Sequence, residues 1–466
     1  MRPAHEAPAR SRGQGALALA AAAAFLFSCP AAPAQAESLE AAKPASGAGD
    51  SWTTFRGGPD APRGVLPEAF GLAVEWKREL GSGYSGISLK DGVLVTLFTA
   101  GADDVLGAFD AATGEEKWRV RLAEKYEAHD GSDDGPLSVP SLDGDQVFAL
   151  GPRGQLVAVA LGSGEEQWRV QLDASNSTVP YFGYTTSPLV VDELVVVLAG
   201  GEGRAVQAFD RRSGELRWKA GSDSVTYQTP ILAELAGRRQ VIAVTDQWVW
   251  GLEPKTGEAL WSHRIQTGET TEESAHPTIL GEDLLLIDIT SESMALRVTP
   301  AAGDGFEVAE VWRSRAFGNT LVLPGVVGSH AYGFTGRILT AIDSTTGETV
   351  WRTRDLKGPN LSLTDGHLAV LTDDGELVVA KADPEGYQER ARIQVLESGD
   401  YANPSFASGR FYVRNQTHLA AVKVIEGAAA VPTEAPESSG PAEAPEAHES
   451  AEGASEPSEG PRAEPR

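Results

Sequence analysis

One phrase returns along this chain with little change: "FDAATGEEKWRV" from Phe109, "FDRRSGELRWKA" from Phe209, "LEPKTGEALWSH" from Leu252 and "IDSTTGETVWRT" from Ile342. Aligned on its glycine, a tryptophan follows at one offset: Gly114 and Trp118, Gly164 and Trp168, Gly214 and Trp218, Gly257 and Trp261, Gly347 and Trp351. Trp76 and Trp312 hold related places in degenerate copies, so the tryptophans recur at the roughly forty- to fifty-residue spacing of propeller blades. A unit of that size cannot bury its apolar face alone and must stack on copies of itself.

Each unit carries short β-rich runs before the phrase, such as "DQVFALG" from Asp145 and "ELVVVLAGG" from Glu193, separated by Gly, Asp and Asn turns and without helical periodicity. The expectation is an all-β chain, an eight-bladed β-propeller of four-stranded antiparallel blades over residues 51–425. Units end near Trp118, Trp168, Trp218, Trp261, Trp312, Trp351 and Val395, and the last, "RFYVRNQTHLAAVKV", lacks its final strand. The orphan strand "AVEWKREL" from Ala73 to Leu80 is predicted to cross over, complete that blade and close the ring, which removes open sheet edges.

The phrase has a mechanical reading. Asp110 can accept hydrogen bonds from turn amides, Gly114 supplies the positive φ of a tight hairpin, and the next strand carries Trp118. A flat indole is then presented to the neighbouring blade, with room left by Ala108, Ala158, Ala208, Gly251 and Ala341. Trp118, Trp168, Trp218, Trp261 and Trp351 are therefore expected to be structural docking residues.

Outside the repeats, Arg2, Arg10 and Arg12 precede the apolar run "ALALAAAAAFLF" (16–27), and "PAQAES" offers small residues at Ala34 and Ala36. This pattern predicts a signal peptide over 1–36 and a flexible linker over 37–50. The run falls short of a membrane span, and no later stretch reaches the ~20 apolar residues required. Cys29, the one cysteine in the sequence, sits in "LFSCP", where Leu26 and Ser28 suit a lipoprotein cleavage box and Phe27 and Pro30 do not. It is either discarded with the signal or a lipid anchor, and in both cases no disulfide or cysteine metal site forms. Residues 426–466 are rich in Pro, Glu, Ala and Ser and lack aromatics, which predicts a disordered acidic tail.

With 39 Lys and Arg against 66 Asp and Glu, the formal net charge is −27, so nucleic acid and anionic lipid surfaces are discounted as partners. The expected protein is exported and periplasmic, either free or membrane-anchored as a lipoprotein, and monomeric.

Chemistry-bearing motifs are sparse. There is no glycine-rich phosphate loop, HExxH pattern or GxSxG elbow. "DGSDDG" sets Asp130, Ser132, Asp134 and Gly135 at calcium-loop spacing, yet the twelfth position is Ser141 rather than Glu, which favours a solvated acidic turn. Trp248 and Trp250 suit a stacking floor for a planar cofactor less well than ordinary strand packing. The remaining candidates stand just before the innermost strands: Tyr84, Tyr184, Tyr227, His276 and Tyr401. At the mouth of the central channel, such aromatic tips would contact a ligand or peptide.

The pattern Ala108, Asp110, Thr113, Gly114, Glu115 and Trp118, repeated as Ala341, Asp343, Thr346, Gly347, Glu348 and Trp351, resembles the pyrroloquinoline-quinone-like (PQQ-like) propeller repeat family. The likeness extends from "WTTFRG" (52–57) to "FYVRNQTHLAAV" (411–422) and is strongest for an exported bacterial branch. Quinoprotein alcohol dehydrogenases in that family imply a calcium-assisted quinone, an adjacent cysteine pair and a calcium-ligand set beside an Asp. The chain has no cysteine pair, and no position matches that ligand set. The family's outer-membrane assembly propeller lipoprotein implies a non-catalytic scaffold. The expectation is thus an exported binding or assembly scaffold of the cell envelope, with an envelope protein or peptide as partner and no cofactor. A PQQ- and calcium-dependent alcohol dehydrogenase is the alternative.

Overall fold

A computed structural model describes residues 51–57, 66–127, 135–172, 181–225, 227–265, 276–289, 292–303, 305–317, 323–358, 360–399 and 402–427. The predicted signal and linker, Cys29, the tail beyond Gly427 and the turn from Asp130 to Asp134 lie outside the described residues.

Strands β1 to β32 form eight four-stranded antiparallel sheets. In the first blade β2 (Ser88–Lys90), β3 (Val93–Ala100), β4 (Asp103–Asp110) and β5 (Glu116–Glu124) lie in that order from the channel outward. Six further blades repeat this meander. Burial explains the composition. In β3 every residue from Val93 to Thr99 is buried, because the middle strands are covered on both faces by neighbouring blades and therefore read as continuous apolar runs. In β5 the interior narrows to Trp118, Leu122 and Ala123, and charged residues occupy the outer edge.

The last blade closes as the sequence predicts. Three strands, β30 (Ser405–Ala407), β31 (Arg410–Arg414) and β32 (His418–Glu426), take β1 (Phe70–Glu79) as their outer member. The pairing runs from Phe70 opposite Glu426 to Glu79 opposite His418, with a bulge between Val74 and Trp76. Arg410 and Glu75 form an ion pair across this sheet, 3.0 Å from Nη2 to Oε1.

The docking device works between blades. Each motif tryptophan lies opposite the small residue of its own blade, Ala108 under Trp118 and Ala208 under Trp218 for example. Its indole N–H donates to the next blade, to the carbonyl just after that blade's motif Asp or its equivalent. Trp76 reaches Ala111 at 3.2 Å, Trp118 reaches Leu161 at 2.8 Å, Trp168 reaches Arg211 at 2.9 Å, Trp218 reaches Pro254 at 3.0 Å, and Trp351 reaches Asp383 at 2.8 Å. The motif glycine explains itself here: Gly114 has φ of 70°, and a Cβ on it would meet the Trp76 ring at 2.7 Å.

Trp261 departs from this rule. The following blade replaces the TGE turn by Pro300–Phe306, so no matching carbonyl is offered, and Trp261 donates instead to Gln240 Oε1 in its own blade at 2.7 Å. That inward lean requires glycine opposite, since a Cβ at Gly251 would lie 2.1 Å from the indole nitrogen.

Candidate functional site

The innermost strands are tied blade to blade around the channel. Ser88 Oγ donates to the Pro140 carbonyl at 2.6 Å, Ser141 Oγ to Pro188 at 2.5 Å and Ser405 Oγ to Ile87 at 2.7 Å. Each serine thus fixes its neighbour's entry into the channel wall.

The segment Trp52–Gly57 belongs to no blade, yet it lies across this wall. Trp52 and Leu89 exchange backbone hydrogen bonds, both 2.7 Å, as an antiparallel bridge to the first blade. The Thr53 carbonyl accepts the Leu142 amide of the second blade at 2.6 Å, and the Thr54 and Ser141 hydroxyls lie 2.8 Å apart. Arg56, with φ of 60°, then donates to the carbonyls of Pro324 at 2.8 Å and Leu323 at 3.2 Å, at the entry to the sixth blade. A chain that touches the first, second and sixth of eight blades crosses the ring. Trp52 is 3 % exposed, and burial of its charge holds the Arg56 guanidinium down to about 10.

A cavity of about 70 Å³ remains beside the segment, lined among others by Phe55, Arg56, Tyr84, Ser362 and Asn403. That volume admits a few waters. The Asn403 side-chain oxygen is buried there and makes no hydrogen bond among the described residues. Among the described residues no carboxylate lines this cavity.

A second buried cation sits at the seam. Arg414 on β31 is fully buried, and its guanidinium donates to the carbonyls of Leu97 and Gly83, both at 2.7 Å, and to Thr96 Oγ1 at 2.9 Å. Burial pushes it down to about 9. It clasps the last blade to the first and holds the Gly81–Gly83 stretch that delivers Tyr84 to the cavity.

The aromatic positions read from the sequence part company. Tyr84 lines the cavity, and its hydroxyl accepts the Gln416 amide. Tyr184 is 1 % exposed, packs in a hydrophobic cluster and donates to the Ala199 carbonyl at 3.3 Å, so it offers no surface to a ligand. Tyr227 stacks at a tilt on Phe182, ring centres 5.9 Å apart. His276 opens the inner strand His276–Ile279, with its side chain outside the described residues, as is Tyr401. Trp248 and Trp250 are half-buried and stack on one another, with Trp250 against Gly221 of the preceding blade, which is ordinary packing. Arg56, Arg414 and Asn403 escaped the sequence reading. The available signal was "WTTFRG", an aromatic and basic stretch upstream of the first blade with no blade to join.

Eight meandering blades, locked by indoles and closed by a strand from the other end of the chain, define a β-propeller of the docking-motif class. The fold and its docking repeats are similar to those of the PQQ-like propeller repeat family. Residues 102–332 match the family profile described as outer membrane protein assembly factor BamB. The chain is 25 % identical over 302 residues to the outer membrane protein assembly factor BamB of Burkholderia pseudomallei (strain K96243), an alignment spanning 62 % of this chain and 71 % of that protein. Among solved structures, BamB from Moraxella catarrhalis is similar in fold, with a TM-score of 0.55 and 17 % identity over 76 % of this chain and 97 % of that one. A quinohemoprotein alcohol dehydrogenase from Comamonas testosteroni superimposes with a TM-score of 0.48 and 14 % identity, covering 84 % and 83 % of the two chains. Among the described residues no helix is long and apolar enough to cross a membrane.

Proposed function

We propose that this protein is a non-catalytic binding scaffold in the assembly of cell-envelope proteins, exported to act there, with a protein or peptide as its partner. The observation that carries this reading is the channel itself. Where a propeller would hold a small substrate, the chain's own Trp52–Gly57 crosses the ring, and the cavity beside it has Arg56, Tyr84 and Asn403 but no carboxylate among the described residues. A quinone dehydrogenase needs a cation on the quinone carbonyl and a base for the alcohol proton. A lining whose side-chain polar groups include one guanidinium, one phenol, one amide and the hydroxyls of Ser362 and Ser405, with no carboxylate among the described residues, is poorly suited to hold calcium or to take up that proton, which speaks against PQQ with its metal. The sequence likeness to an outer membrane protein assembly factor supports the same reading.

The test has two arms. A photocrosslinking residue placed at Tyr84 or at Asp91, on the turn after β2, should recover a defined envelope protein from intact cells. Purified protein incubated with PQQ and calcium, desalted and assayed by dye-linked alcohol oxidation should show no turnover. Stoichiometric retained quinone with turnover would overturn the scaffold reading.

A further inference from the structure

The channel already holds a short run of this chain, extended at Trp52 and Thr53 and closed by a 3₁₀ turn over Phe55–Gly57. The innermost strand of a blade leaves one edge unpaired toward the axis, and such an edge recruits a further strand through main-chain hydrogen bonds. Trp52 uses the edge at Leu89 in that way, and Thr53 uses the Leu142 amide of the next blade. Side chains supply the rest of the fit. Trp52 is buried against the first-blade cluster, Thr54 meets Ser141, and Arg56 is received by carbonyl oxygens alone, with no carboxylate partner among the described residues. Carbonyls at Leu323 and Pro324 thus form a ready receptor for a guanidinium. The Asn403 oxygen, buried without a partner among the described residues in the same cavity, is an acceptor for one more donor. None of the eight sheets includes a residue of 52–57, so the blades are complete without it.

We propose that the central channel is a peptide-binding groove, occupied in cis by Trp52–Gly57, which accepts in trans a segment bearing the same aromatic and arginine pattern, extended at its aromatic end and turned at its arginine. This deepens the scaffold reading and rests on it. Tethering gives the cis segment an effective concentration in the millimolar range, about what a competing partner must exceed.

The probe is a fluorescein-labelled peptide of sequence SWTTFRGG, followed by fluorescence anisotropy. The intact protein should bind it at least about tenfold more weakly than a variant lacking residues 51–57. In that variant binding should saturate at one peptide per chain, and the peptide carrying Arg56→Gln should lose about tenfold or more in affinity, the scale of a hydrogen bond to a charged group. A deletion variant that keeps its β-sheet circular dichroism and melt yet fails to bind, or binds regardless of the arginine, would overturn the proposal. If the deletion does not fold, the full chain carrying Trp52→Ala and Arg56→Gln serves instead. Hydrogen exchange at the Leu89 and Leu142 amides should then accelerate and be restored by added peptide, and unchanged protection would again overturn it. Failure here with a crosslinked envelope partner still recovered leaves the scaffold reading standing, whereas quinone turnover removes that reading whatever the peptide does.

Discussion

Replacing Trp218 by alanine removes an indole that is 7 % exposed and that donates to Pro254 at 3.0 Å, so two blades lose contact at once. The expected cost is about 3–5 kcal/mol, read as a lower midpoint in urea unfolding. Trp351 is less enclosed, and its truncation should cost less in the same measurement. Gly251→Ala places a Cβ 2.1 Å from the Trp261 indole nitrogen and should destabilise by about 1–3 kcal/mol, whereas the reverse change at Ala208 creates no clash. A Gly251→Ala variant with an unchanged melt would contradict the inward lean of Trp261. The fixed offset from Gly to Trp was legible in the sequence because one geometry repeats. The turn of Trp261 was not, since it follows from what the next blade lacks rather than from anything beside Trp261 itself.

In the first, third and sixth blades the hairpin that precedes the docking strand is held by an aspartate, Asp110, Asp210 and Asp343. Asp210 Oδ1 accepts the amides of Arg212 at 3.0 Å and Ser213 at 2.9 Å, and its other oxygen accepts Arg217 at 2.8 Å. The Arg217 bond, acting first, and then the amides draw this carboxyl down from 3.8 to about 2 against the opposing effect of partial burial. A carboxyl whose folded value lies below its unfolded one contributes stability that is present above about pH 4 and is lost as pH falls through about 2. The unfolding midpoint should therefore decline between those limits, and Asp210→Asn should lower it at pH 7 while flattening the decline. A variant with the parent's full acid response would remove Asp210 from that role. Hairpins were readable because Asp and Gly at set places specify a turn. The inner strands were harder: Ser88–Lys90 and Ser141–Asp143 span three residues each, too few for periodicity to register, and their hold on the wall comes from serine bonds to neighbouring carbonyls.

Across the whole ring, the seam depends on Arg414 as well as on strand pairing. Arg414→Met would leave the carbonyls of Gly83 and Leu97 buried without their donor, at a cost of about 1–3 kcal/mol, and should raise hydrogen exchange at the junction of the first and last blades before the rest of the ring. Uniform exchange would argue against a seam-specific role. The ring, its eight blades and the closing strand were legible because each is a repeat or a visible gap in one. The crossing of the channel was not, because Trp52–Gly57 owes its place to edges contributed by Leu89, Leu142 and Leu323, residues far apart along the chain. The closing strand also orders events in time. Phe70–Glu79 emerges from the ribosome early, whereas its partner His418–Glu426 is among the last strands made, so the early strand must wait with an unsatisfied ladder while seven blades are synthesised. A chain that stops before residue 418 lacks the partner of Phe70–Glu79, so its ring cannot circularise, and the meeting of these two distant strands is the step that turns a row of blades into a closed molecule.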